Sequence, residues 1–225
     1  MSFLYNIEEK MIQLLPIDLC VIDSTFAKTC FQTMKYLQEH KNLVFTEDGV
    51  ISEQNYMISF AYLLGCELKD KDHLYGGEIK KVLSVCHNEK IIELAERLKR
   101  SCNDDKVKAK PDFVIHKCLE RDNFPPEHQC FIVETKTSIS LSQDIFSWDI
   151  FKLHGYISQL NYKNAVYIII NSDKSIVEKK LNKYIDEYVD DLSSWLEKAE
   201  KGRLLLFIQK DIDSVPETFQ VQIDK

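Results

Sequence analysis

The sequence predicts an α/β fold in which a central mixed sheet is flanked by helices. Three short apolar runs, at residues 113–115, 131–133 and 165–170, are each bounded by polar segments, as buried strands are. Stretches whose apolar residues recur at helical spacing precede the first run and follow the second. The resulting order of helix, strand, strand, helix and strand is typical of the α/β class.

The first 45 residues are predicted to form a helical extension. An amphipathic segment at residues 3–15 stops at Pro16, and a second begins near the candidate capping residues Asp23 and Ser24 and reaches about residue 40. No motif with an evident chemistry occurs in this part of the chain. We therefore divide the sequence into a helical extension, residues 1–45, and a main domain, residues 46–225.

The main domain is predicted to open with two helices. Ser52 is a candidate N-cap for a helix at residues 53–64, whose apolar residues recur at helical spacing. Residues 69–77 are polar and contain paired glycines, which predicts a loop, and a second helix follows at about residues 83–100. The two motif strands described below come next along the chain.

The remainder of the chain is predicted to alternate helices and strands. A helix at about residues 144–160 places apolar residues on one face and Asp149, Lys152 and Gln159 on an adjacent polar face. A buried strand at residues 165–170 follows, and then an amphipathic helix at about 175–198 leads to an apolar strand at 203–208.

Bulk composition favours a globular protein inside the cell. Of the 225 residues, 44% are hydrophobic and 29% are charged, and no apolar stretch is long enough to span a bilayer. The N-terminus lacks the basic-then-apolar pattern of a signal sequence. The seven cysteines form no C-x-x-C pair, so zinc-ribbon and iron–sulfur sites lack their ligand spacing. Reduced thiols and a cytoplasmic location are therefore expected, with no membrane partner.

The distribution of charge matters more than the total. A net charge of −7 argues mildly against unspecific binding of nucleic acid, whose affinity comes from Lys and Arg on phosphates. However, a basic segment runs directly into the first motif strand; it contains Lys99, Arg100, Lys106, Lys108 and Lys110. Such a segment suits a polyanionic substrate, and a solvated lysine-rich loop explains it equally well.

Two short motifs carry the chemistry. Pro111-Asp112 opens the first motif strand, and Glu134-Thr135-Lys136 ends the second. An acid two residues before a lysine occurs six times elsewhere, but Pro-Asp occurs only once. Because side chains alternate along a strand, Glu134 and Lys136 share a face. If the strands pair, two carboxylates and an ammonium meet, which suits Mg²⁺ facing a phosphate.

This arrangement resembles the PD-(D/E)XK nuclease superfamily, and the resemblance covers about residues 50–172. It implies a restriction-endonuclease-like core and a Mg²⁺-dependent endonuclease, in which Mn²⁺ would substitute for Mg²⁺. DNA is favoured over RNA as the substrate, in restriction, mobile-element or anti-phage defence. The 21 residues between Asp112 and Glu134 are many for a tight hairpin, although variable connections are typical of the superfamily.

The resemblance also assigns roles to individual residues. Asp112 and Glu134 would bind the metal, which lowers the pKa of the attacking water. Lys136 would orient that water or neutralise charge that develops in the transition state. A further catalytic acid is expected on the preceding helix, for which Glu53 is the candidate and Glu78 its rival. A first-turn glutamate that favours the helix dipole explains Glu53 almost as well.

Substrate contacts are expected from four polar side chains. Lys108 and Lys110 belong to the basic segment, whereas Lys152 and Gln159 lie on the helix that follows the lysine strand, where such nucleases often carry a polar residue. An ordinary exposed helix face explains the last two more simply.

Two alternatives remain open, both on the same fold. The first is an RNA endonuclease similar to the cap-snatching enzymes of segmented RNA viruses, for which His40 is the only natural candidate for an additional metal ligand. The second is a non-catalytic module for nucleic-acid binding or assembly. A homodimer is plausible for a nuclease, because one active site cuts one strand and a duplex break needs two.

Overall fold

The computed structural model describes residues 12–17, 25–68, 73–76, 81–85, 88–103, 106–117, 129–198 and 202–223. These residues form an α/β fold, with a mixed central sheet and helices on both of its faces. The fold class and the mixed, helix-flanked sheet predicted from the sequence are thus confirmed.

The bounds of the elements are as follows. The helices are α1 (Thr25–Glu39), α2 (Glu53–Leu68), α3 (Glu89–Arg97), α4 (Gln143–Leu160) and α5 (Lys174–Lys198). The strands are β1 (Ile12–Pro16), β2 (His73–Gly76), β3 (Lys81–Ser84), β4 (Cys102–Asn103), β5 (Lys106–Ala109), β6 (Phe113–Lys117), β7 (Gln129–Lys136), β8 (Asn164–Ile170), β9 (Arg203–Gln209) and β10 (Glu217–Ile223).

Within the described residues, seven strands form the central sheet in the order β1-β10-β9-β8-β7-β6-β2. Strands β7, β8 and β9 are parallel, and every other neighbouring pair is antiparallel. The parallel strands are connected through α4 and α5, as parallel pairing requires a crossover. A second sheet, β3-β5-β4, packs against α4.

Each face of the central sheet buries its own hydrophobic cluster. Helices α1 and α2 cover one face, where Val133 and Ile168 are buried. Helices α3, α4 and α5 and the small sheet cover the other face, where Ile132 and Ile169 are buried. Side chains alternate along β7, so Glu134, two residues after Ile132, is directed towards α4.

Helix α4 is buried on all sides from Phe146 to Ile157. Its first turn is capped by Ser142, whose hydroxyl accepts a hydrogen bond of 3.3 Å from the backbone N–H of Ile145. It ends at Asn161, whose left-handed φ of 58° suits asparagine. The helix that follows the lysine strand therefore lies inside the molecule, between the two sheets.

The predicted helical extension is wrong over residues 12–16, which form strand β1. This strand pairs with β10 in the register Ile12↔Ile223, so backbone pairing with a distant strand overrides the helical pattern of a short segment. The helix predicted after Ser24 is confirmed as α1, and its buried residues join the cluster on one face of the central sheet.

Two further predictions of secondary structure need correction, and one strand is missing from the prediction. The predicted loop at 69–77 contains strand β2, which extends the sheet beyond β6. The helix predicted from residue 83 begins only at Glu89, after strand β3 and the cap Asn88. Strand β10 is the missing one, because its alternating sequence lacks a continuous apolar run. In each case tertiary pairing decides the outcome.

Candidate active site

Asp112 is fixed to strand β7 at the point where strands β6 and β7 pair. Its backbone N–H donates a hydrogen bond of 3.1 Å to the carbonyl of Val133. Its carboxylate Oδ2 accepts one of 2.7 Å from the backbone N–H of Thr135. Because Phe113 pairs with Val133, the next positions along the two strands bring Asp112 beside Glu134.

Glu134 is buried and holds two polar partners from α4. Its Oε2 lies 2.6 Å from the ammonium of Lys152, and its Oε1 accepts a hydrogen bond of 3.3 Å from the hydroxyl of Tyr156. The side chain is only 1% exposed, so both interactions form away from bulk water. Lys152 and Tyr156 are four residues apart and therefore reach the same spot from one face of the helix.

A chain of alternating charges continues from Glu134 to the N-terminus of α2. Lys152 Nζ also lies 2.9 Å from Asp149 Oδ1, and Lys136 Nζ lies 4.0 Å from Asp149 Oδ2. Lys136 completes the chain through an ion pair of 2.8 Å with Glu53 Oε1. Asp149 thus stands between the two lysines, and the hydroxyl of Tyr167 donates to its Oδ2 at 2.9 Å.

The charged side chains described above line a cavity of about 450 Å³. Among the residues that the structure describes, its acidic lining consists of Glu53, Asp112, Glu134 and Asp149, and its basic lining of Arg100, Lys110, Lys136 and Lys152. The other lining residues are uncharged; they include Trp148, Ser138 and Ser140. The cavity can therefore offer oxygen ligands to a cation and ammonium or guanidinium groups to an anion.

Burial shifts the acidities of these groups. It raises the pKa of Asp112, although Lys136 and the Thr135 N–H counteract it. It likewise raises the pKa of Glu134, against the attraction of Lys152. Burial would lower the pKa of Lys136, but Asp149 and Glu53 more than compensate and hold it above its ordinary value. The two carboxyl groups are therefore harder to deprotonate than ordinary ones, and Lys136 stays protonated.

The donor set fits a hard divalent cation. Asp112 and Glu134 would hold the ion, because an added positive charge offsets the burial that raises their pKa values. Among the described residues, no group of three or more His, Cys, Asp and Glu side chains converges as a ready-made metal site. Mg²⁺ does not require one, since it is commonly bound through one or two carboxylates, waters and substrate phosphates.

Of the four predicted substrate-binding residues, two line the cavity and two do not. Lys110 and Lys152 line the cavity, whereas Lys108 and Gln159 do not. Gln159 instead binds the backbone of Ser84 with both ends of its amide, at 2.8 and 3.0 Å, and so connects α4 to β3. The explanation of Lys152 as part of an exposed helix face is wrong, because its side chain is only 9% exposed.

Of two further predicted residues, His40 lies away from this cavity and Glu78 lies outside the described residues. His40 stacks on Tyr36 at a centroid distance of 3.9 Å, and it is not among the residues that line the cavity. Glu78, the rival of Glu53, lies outside the described residues. Glu53 itself lines the cavity and contacts Lys136.

Sequence reasoning missed the roles of Asp149, Tyr156 and Tyr167. Asp149 was assigned to a polar helix face, and the two tyrosines were not singled out. A signal was present, because the supposed polar side of the helix also carries Trp148 and Phe151. A helix that is apolar all round is buried, and charged groups on it then need partners.

No protein-family model, curated protein or solved structure matches this chain. In the part of the chain that the structure describes, no helix combines the length and the apolarity needed to cross a bilayer.

Proposed function

We propose that this protein is a metal-dependent endonuclease that hydrolyses phosphodiester bonds, with DNA as the favoured substrate. The observation that carries the proposal is that Asp112, Glu134 and Lys136 line one cavity together with Glu53. Two carboxylates beside an ammonium suit hydrolysis at phosphorus, because the carboxylates can hold a cation that activates water while the ammonium offsets charge on the phosphate.

The order of elements supports the finer fold assignment. Along the chain, helix α2, which starts with Glu53, is followed by the central-sheet strands β2, β6 and β7, and then by α4 and β8. The superfamily core is likewise a mixed sheet flanked by helices and entered through an acidic helix. This agreement supports a restriction-endonuclease-like core.

Asp112 and Glu134 would hold Mg²⁺ or Mn²⁺, which when bound supplies Lewis-acid activation of the phosphate and of the attacking water. Lys136 would stabilise the charge that develops on the phosphate, because it stays protonated and is aimed by Glu53. Lys152 and Tyr156 would keep Glu134 oriented through their contacts with its two oxygens. Removing the side chain of Asp112, Glu134 or Lys136 should abolish cleavage.

Purified protein incubated with supercoiled plasmid, single-stranded DNA and RNA tests the proposal. Each substrate is tried with Mg²⁺, Mn²⁺ or EDTA, beside Glu134→Ala and an exposed control, Glu67→Ala, on α2. Cleavage that needs a divalent ion and disappears only in Glu134→Ala supports the nuclease. The preferred substrate decides between the DNA enzyme and the RNA endonuclease.

If the wild-type protein cuts none of these substrates and calorimetry detects no Mn²⁺ binding, the nuclease proposal is overturned. The non-catalytic module for nucleic-acid binding or assembly is then the better interpretation. Sedimentation of the protein with and without duplex DNA tests the proposed homodimer. A monomer is expected to nick the supercoiled plasmid, whereas a dimer is expected to cut both strands and give a linear product.

A further inference from the structure

The small sheet β3-β5-β4 is amphipathic and firmly fixed to helix α4. Its inner residues Leu83, Val107 and Ala109 are buried. Gly155 of α4 allows Leu83 to approach closely, because a Cβ at this glycine would lie 3.0 Å from a methyl of Leu83. The amide of Gln159 adds two hydrogen bonds to the same strand. The sheet is thus held on the helix that carries Asp149 and Lys152.

The outer face of this sheet is basic. Lys106 and Lys108 are exposed and two residues apart on β5, so they lie on the same face about 7 Å apart along the strand. Their cross-strand neighbours Asn103 and Val82 are exposed as well. Among the described residues of the three strands there is no carboxylate. Asp104 and Asp105, which precede β5 in the sequence, lie outside the described residues.

The strand that carries the two lysines is connected directly to the lining of the cavity. After β5 the chain continues through Lys110, which lines the cavity, to Asp112. Asp112 follows Lys106 by six positions in the sequence, so the two lie at most about 22 Å apart. Lys106 and Lys108 are spaced to contact two phosphates of one strand of a DNA duplex, whose phosphates repeat regularly along the backbone.

We propose that the outer face of the small sheet is the nucleic-acid-binding surface, on which the backbone of a duplex lies across Lys106 and Lys108 as it enters the cavity. This inference rests on the proposed function, from which it takes its polyanionic ligand. Ammonium groups that contact phosphates position a duplex without reading its sequence. The surface therefore contributes affinity and register, and Asp112, Glu134 and Lys136 remain the groups at which cleavage occurs.

Binding without cleavage tests the inference independently of the nuclease. Fluorescence anisotropy measures the affinity of a labelled 20-base-pair DNA duplex in EDTA, across a series of KCl concentrations. The variant Lys106→Gln/Lys108→Gln is compared with Lys28→Gln/Lys35→Gln. The control removes the same charge from exposed positions on α1, which covers the opposite face of the central sheet. Single-stranded DNA and duplex RNA of matching length are measured alongside.

Loss of two phosphate contacts should make the slope of log K against log salt less negative by about 1.8 for a duplex. It should also weaken duplex binding more than about tenfold at 100 mM KCl. The control should leave both quantities unchanged. Equal effects of the two variants, or no duplex binding by the wild type, would overturn the inference. A slope change seen only with single strands or only with RNA would also overturn it. Duplex binding without cleavage in Mg²⁺ or Mn²⁺ would instead count against the nuclease alone.

Discussion

Lys152 Nζ lies 2.6 Å from Oε2 of Glu134, in an ion pair that is almost completely buried beneath the cavity. Each charge depends on the other, since burial keeps both away from bulk water. The same ammonium also contacts Asp149, so two carboxylates of the candidate active site share one lysine. The site is therefore stabilised by the helix that follows it in sequence as well as by the two motif strands.

Replacing Lys152 by methionine should destabilise the metal-free protein by about 3–5 kcal/mol, because a buried carboxylate is left without its partner. Urea unfolding in EDTA measures the loss. Lys183→Met is the control, since Lys183 and Glu187 form a half-exposed pair whose removal should cost less than about 1 kcal/mol. Addition of Mn²⁺ should stabilise Lys152→Met more than the wild type. Similar losses in the two variants would contradict this account of the pair.

Replacing Glu53 by glutamine should separate activity from stability. The carboxylate is 41% exposed and aims Lys136, so its removal should change the free energy of unfolding by less than about 1 kcal/mol. Cleavage should nevertheless fall about 10- to 100-fold, because the ammonium of Lys136 loses its fixed position. Cleavage rates and thermal unfolding are compared with those of Glu67→Gln on the same helix. Unchanged cleavage would remove Glu53 from the site.

The two tyrosine hydroxyls of the site should differ in their contribution to stability. Tyr167 donates to Asp149 at 2.9 Å, whereas Tyr156 donates to Glu134 at 3.3 Å. Tyr167→Phe should cost about 1.5–3 kcal/mol, as expected for a buried hydrogen bond to a charged group, and Tyr156→Phe should cost less. Urea unfolding ranks them, with the exposed Tyr62→Phe as the neutral reference. The opposite ranking would show that Glu134 is the more dependent carboxylate.

His154 should make the protein sensitive to acid. Burial lowers the pKa of its imidazole to about 4, whereas an unfolded chain has about 6.5. The unfolded state therefore binds the proton first, and the stability present above pH 6.5 is lost as the pH falls towards 4. Between pH 7 and pH 5 this amounts to about 2 kcal/mol. His154→Gln should flatten the pH dependence of urea unfolding by that amount; an unchanged profile would assign the acid sensitivity elsewhere.

The sequence predicts the central elements because their signals are local. Continuous apolar runs identify β6, β7 and β8. Helical spacing identifies α2 and α4, and for α2 a candidate capping serine, Ser52, adds to it. Strands β1 and β2 escape prediction because they are short and owe their conformation to partners that are distant in the chain, and β10 escapes it because it has no continuous apolar run.

The candidate site follows the same division. Asp112, Glu134 and Lys136 are recognisable because strand register alone brings them together. The roles of Asp149 and Lys152 depend on how α4 packs, since the same two side chains on an exposed helix would form only a surface pair. Their function in the site is a property of burial, which a helical pattern with charges on one side does not reveal.

The pairing of β1 with β10 has a consequence for synthesis on the ribosome. Strand β1 is the earliest described strand to leave the exit tunnel, but its only described neighbour in the sheet is the last described strand to emerge. By then β6, β7, α4 and β8 have all been synthesised, so the carboxylates and lysines of the cavity can assemble while one edge of the sheet is still open. Closure of that edge then follows the assembly of the cavity.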